Sequence, residues 1–155
     1  MKPFHVRVVG HPKGQPRARA FAKNGKVRMY DPSTAEGWKN AIAMEMVRIL
    51  PASPYGVRIA ANGDRVPMPV SISATFLFDR PKYLFRKSSP ESRIPYLAKP
   101  DRDNLDKAVL DALVAMRFLA DDAVVFDGHL EKWYVAKGED PGLILTINIY
   151  EEQDL

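Results

Sequence analysis

Acidic residues crowd one part of this 155-residue chain. Asp101 and Asp103 flank Arg102 directly after Lys99-Pro100. Asp106 and Lys107 follow, then Asp111, and Asp121-Asp122 stand further on. A helix turns about 100° per residue. Leu105, Val109, Ala112, Leu113 and Met116 then share one arc, while Asp103, Lys107 and Asp111 share the opposite arc at spacings of four. Asp101 lies just before that helix, where Pro100 and the helix start fix the backbone direction. Two carboxylates of a loop–helix junction can therefore converge on one point, with Lys107 one turn beyond.

Hard divalent cations want such groups. Mg2+ is held by one or two carboxylates together with waters and substrate phosphate. Hydrolysis of a phosphodiester needs an activated water and neutralisation of phosphate charge, and a bound divalent ion supplies both. An ammonium nearby stabilises charge in the transition state, a role open to Lys107. Either Asp121 or Asp122, just before the apolar run 123–126, could turn back and complete the set. A plainer reading stands beside this one. Asp103 would be an N-cap, Asp101 and Asp106 would favour the helix dipole, Asp103 and Lys107 would form an i,i+4 surface pair, and Asp121-Asp122 would make a turn. Spacing alone does not choose between them.

The elements that must position these residues can be read around them. Residues 4–9 alternate as a strand, residues 10–26 read as a Pro/Gly/basic loop, and 27–30 as a short strand. Ser33 to Glu36 has capping-box spacing, and a helix through about Leu50 should follow, ended by Pro51. Residues 51–68 read as an inserted loop in which Asn62-Gly63 could close a small hairpin. Val70, Ile72, Ala74, Phe76 and Phe78 alternate with Ser71, Ser73 and Thr75, the clearest strand in the chain. A basic loop over 79–100 leads into a helix from about Asp103 to Arg117, and strands at 123–136 and 143–150 follow. The expected fold is α/β (α+β), a small mixed sheet of four strands with two helices packed on one face, in a single domain over 1–155. Such a sheet leaves apolar surface to cover, and a homodimer would cover it.

Composition narrows the chemistry. With no cysteine, disulfides and thiolate metal sites are excluded. His5, His11 and His129 have no ligand spacing and read as surface or loop residues, while Trp38, Trp133 and Tyr134 read as core or interface. There is no P-loop, no GxGxxG and no nucleophile elbow. No apolar run approaches the ~18 residues of a membrane span, and no signal peptide is evident, so the cytoplasm is the expected compartment. The net charge is only +4, yet residues 1–30 carry eight Lys/Arg and no carboxylate. A basic N-terminal third points to a polyanion partner.

The run 99–113, Lys-Pro-Asp-Arg-Asp-Asn-Leu-Asp-Lys-Ala-Val-Leu-Asp-Ala-Leu, followed by Asp-Asp-Ala-Val-Val at 121–125, resembles the signature of RusA-type Holliday-junction resolvases. The phage and prophage branch of that family is also similar at Gly10-x-Pro12, Gln15-Pro16-Arg17-Ala18-Arg19, Tyr30-Asp31-Pro32 and 141–147. The resemblance implies a homodimeric, Mg2+-dependent endonuclease, with Mn2+ as the expected substitute, that cuts four-way DNA junctions by paired nicks. It carries the catalytic, metal-holding carboxylates onto Asp101, Asp103 and Asp122, with Asp121 as a further ligand candidate, and the essential lysine onto Lys107. Arg102 departs from the family, which usually has an apolar residue there, and implies added phosphate affinity. Lys13, Arg17 and Arg19, with Arg80, Lys82, Arg86, Lys87 and Lys99 from the loop before the site, would then contact phosphates and position the duplex. Two alternatives stay open: a non-catalytic, structure-specific DNA-binding protein of a prophage, and a nuclease of flaps or forks.

Overall fold

Alternation of apolar and small polar residues makes Val70–Phe78 the central strand, and its neighbours follow from which side each apolar row must bury. The computed structural model describes residues 2–30, 33–50, 57–59, 65–151 and 154. In chain order these form β1 (Lys2–Val9), β2 (Arg19–Lys23), β3 (Lys26–Tyr30), α1 (Glu36–Ile49), β4 (Val57–Ile59), β5 (Arg65–Pro67), β6 (Val70–Phe78), β7 (Ile94–Pro95), α2 (Arg102–Ala115), β8 (Val125–Tyr134) and β9 (Gly142–Ile149). The main sheet runs β1-β9-β6-β8-β7. Strand β6 is antiparallel to β9 and parallel to β8. A parallel pair needs a long crossover, and α2 lies within the one that joins β6 to β8.

One sheet face carries the core. Phe4, Val6 and Val8 of β1, Val70, Ile72, Ala74, Phe76 and Phe78 of β6, and Leu143, Leu145, Ile147 and Ile149 of β9 pack with Trp38, Ile42 and Met46 of α1 and Leu105, Ala108, Val109, Ala112 and Leu113 of α2. Each fully buried Val, Leu, Ile, Phe or Met among them contributes about 1.5–3 kcal/mol. Both helices therefore lie on the expected face. Register puts Ser71, Ser73, Thr75 and Leu77 on the other face, beside Asp127, His129, Glu131 and Trp133 of β8.

Several details differ from the sequence reading. The main sheet has five strands instead of four, because Ile94-Pro95 adds a short edge to β8. Residues 10–18 are a loop, but 19–26 are not. Arg19–Lys23 pairs with Lys26–Tyr30 across Asn24-Gly25, both with positive φ (52° and 71°), the two-residue turn that an Asn-Gly pair favours. The first helix begins at Glu36 after a 3-10 turn over Ser33–Ala35, with no side-chain cap, so the capping box is not formed. The 51–68 segment does contain a hairpin, β4 with β5, although Asn62-Gly63 itself lies outside the described residues. Asp31 and Pro32 lie outside them too.

Candidate metal-binding and nucleic-acid site

Extended backbone at Asp101 (φ −70°, ψ 156°) stops the chain from continuing helically towards its N-terminus, and α2 starts at the next residue. The Asp101 carbonyl takes the first helical hydrogen bond, from the Leu105 N–H at 3.1 Å. Its carboxylate caps nothing and instead forms an ion pair with Lys99. Asp103 sits in the first turn, exposed, and accepts a hydrogen bond from Arg17 Nη2 at 3.2 Å. That guanidinium bond, chiefly, holds the Asp103 carboxyl below the usual carboxylate range. Capping therefore does not explain either aspartate; both face cations.

The loop that carries Arg17 is fastened to the helix. Gln15 N–H donates to Asn104 O at 2.8 Å, and Gln15 is almost fully buried. Gly14 comes so close that a Cβ there would lie 2.9 Å from Pro100 Cβ and 3.0 Å from Asn104 Cβ. Any larger residue would push the loop off α2. A strand supports the other side. Lys132 of β8 donates from Nζ to the carbonyls of Ala98 and Pro100, each at 2.7 Å, and lies 5.1 Å from the centre of the Tyr96 ring. Tyr96 in turn donates its hydroxyl to Lys99 O. Desolvation lowers the Lys132 ammonium's pKa, and the nearby Asp101 works against that shift.

Beside these residues is an open cleft of about 580 Å³, lined by Arg102, Asp103 and Asp106 of α2, Ile72 of β6 and residues 125–130 of β8. Gly128 forms part of its wall. A Cβ there would meet Ile72 O at 2.0 Å, so no side chain fits. Asp106 is about half buried, and desolvation raises its pKa despite the opposing Arg102 charge.

A family model described as endodeoxyribonuclease RusA matches residues 10–148, which include the loop, both helices, the cleft and most of the last strand. The chain belongs to the RusA endodeoxyribonuclease family. Among curated proteins it is similar to the uncharacterized protein YqaN of Bacillus subtilis (strain 168), at 30% identity over 145 residues, 90% of this chain and 92% of that one. Members of the RusA family are endodeoxyribonucleases, that is, hydrolases of DNA. Among the described residues no helix is long and apolar enough to cross a membrane.

The residues expected to form the site are not all gathered. Asp101 and Asp103 stand two residues apart at the start of α2, yet their ion pairs run to Lys99 and Arg17. Lys107 lies one turn on and pairs with Asp111 at 3.2 Å, not with Asp103. Asp121 accepts from Ala123 N–H at 2.8 Å and so closes a turn; that bond, chiefly, lowers its pKa. Asp122 opens the 3-10 turn 122–124, which packs against α2. Among the described residues no three His, Asp or Glu side chains lie at metal-binding spacing.

One phosphate-contact expectation must be corrected. Arg80 is buried, and its guanidinium donates to five backbone carbonyls, of Val135, Leu84, Pro90, Glu91 and Ser92. No N–H is left for DNA. It holds the 79–93 loop in shape, while Lys82, Arg86 and Lys87 on that loop are exposed. Lys13, Arg17, Arg19, Lys99 and Arg102 are exposed as well. The histidines are exposed and pair locally, His5 with Thr146, His11 with Asp79 and His129 with Glu131. Sequence reasoning missed Lys132, Tyr96 and the cleft-lining role of Asp106. A glycine inside a strand, Gly128, was the one available signal for a close backbone approach.

Proposed function

We propose that this chain is a Mg2+-dependent endodeoxyribonuclease that resolves four-way DNA junctions as a homodimer in the cytoplasm. The observation that carries the reading is the start of α2: two carboxylates, the half-exposed Asp101 and the exposed Asp103, each faced by a cation at the edge of an acidic cleft. The donor set suits a hard divalent ion. Mg2+ asks for only one or two carboxylates, so a preformed cage of three is not required. Asp101 and Asp103 would hold it, joined by Asp122, or Asp121, from the turn that packs on α2; Mn2+ would substitute.

When bound, the ion supplies an activated water and neutralises charge on the scissile phosphate. The chain's own residues do the rest. Arg17 and Lys99 exchange their carboxylate partners for DNA phosphates. Lys107, on the same helix face, leaves Asp111 to stabilise charge on the phosphate under attack. Lys13, Arg19, Lys82, Arg86, Lys87 and Arg102 hold the duplex without reading its sequence.

The dispersed carboxylates also favour a second reading, a prophage protein that binds branched DNA without cutting it. Incubation of the chain with synthetic four-way junctions, flaps, forks and linear duplex, with Mg2+ or EDTA, separates the readings. Paired Mg2+-dependent nicks in the junction support the proposal. Binding without nicking supports the second reading, and nicking of flaps or forks alone moves the substrate.

A further inference from the structure

The ribbon β2–β3 sorts its side chains by charge. Its register pairs Arg19 with Tyr30, Phe21 with Arg28 and Lys23 with Lys26, so Arg19, Lys23, Lys26 and Arg28 share one face with Phe21. Ala20, Ala22, Val27 and Met29 share the other. Every residue from 17 to 29 is exposed, including Val27 at 73% and Met29 at 71%. The ribbon therefore lies on the body of the protein with neither face and projects from it.

None of the four cations has a hydrogen-bond or ion-pair partner among the described residues. Lys23 stands directly opposite Lys26, a like-charge pairing that destabilises a ribbon unless something offsets it. The strand begins two residues after Arg17, the residue bound to Asp103. Same-face residues on a strand lie about 7 Å apart. The four charges thus form a short double row running outward from the carboxylates. We propose that this cationic face is an arm that grips the sugar–phosphate backbone of duplex DNA beside the site. The inference rests on the DNA-cleaving reading, since proximity to the carboxylates is what favours DNA over an anionic membrane surface.

The test is salt-dependent binding of the full chain to a duplex-armed junction in EDTA, measured by fluorescence anisotropy. Wild type is compared with the triple variant Lys23→Gln, Lys26→Gln, Arg28→Gln and with Arg48→Gln. Each phosphate contact contributes about 0.9 to the slope of log K against log salt. The triple variant should lose about 2 to 3 from that slope and bind at least about tenfold more weakly, with an unchanged melting temperature. Arg48→Gln, which removes an exposed cation of α1 paired with Glu45, should bind as wild type. An unchanged slope in the triple variant overturns the arm while leaving the nuclease reading intact, whereas a wild type that binds no DNA overturns both. Loss of binding to phosphatidylserine vesicles by the triple variant, with DNA binding unaltered, assigns the ribbon to lipid and also overturns the arm.

Discussion

Arg17 and Asp103 are 86 positions apart in the chain, and their side chains meet at 3.2 Å. This contact joins the basic N-terminal segment to the acidic helix start. Because it keeps the Asp103 carboxyl ionised to lower pH than usual, its stabilisation is present above the unfolded carboxyl pKa of about 3.9. It disappears as pH falls through the lower, folded value. Arg17→Gln should move the Asp103 titration back up towards the ordinary range, seen by carboxyl-carbon NMR. An unmoved titration would mean that the contact does not form in solution.

Asp106 has the opposite sign. Burial raises its folded pKa, so the folded state pays for the ionised form at every pH above the unfolded value. Asp106→Asn should therefore stabilise the protein at pH 7 and lose that advantage near pH 3. A higher melting temperature at pH 7, with the gain gone near pH 3, is the expected signature. Destabilisation at pH 7 would contradict it.

Lys132 holds two carbonyls of the segment that leads into Asp101. Lys132→Met should cost about 1–2 kcal/mol in urea unfolding, the penalty for leaving polar groups unpaired. It should also lower single-turnover cleavage in fully folded protein, where a purely structural lysine would have no effect on rate.

Arg80 and Lys87 separate a structural cation from a binding one. Arg80→Ala removes five carbonyl partners and should cost about 3 kcal/mol or more, with the salt slope of DNA binding unchanged. Lys87→Ala should leave the urea midpoint alone and flatten that slope by about one contact.

The parts of this fold that follow a period were legible in the sequence. The alternation of 70–78 gave the central strand, and the apolar arc of 105–113 gave the buried face of α2. Asp103 and Lys107 stand on the opposite, exposed face, as their spacing required. What hid was non-local. Of the ribbon at 19–30 only the second strand was read, at 27–30; the first lies among small and basic residues that read as loop, although Asn24-Gly25 marked the turn between them. Arg80 sits in a run of charged residues, and nothing nearby in sequence tells that five carbonyls from 84–135 surround it. Lys132 likewise meets its partners across the sheet edge. Type and spacing singled out the candidate carboxylates but not their ion pairs, since the partners Lys99 and Arg17 are placed by loop structure that no period announces.

The most direct measurement is cleavage of a four-way junction by Asp103→Asn in Mg2+, alongside its binding in EDTA. Binding at least as tight as wild type is expected, because the variant frees Arg17, with cleavage reduced more than about 100-fold, beyond the loss expected from removing an outer-shell partner. Wild-type Mg2+-dependent cleavage by the variant would contradict it.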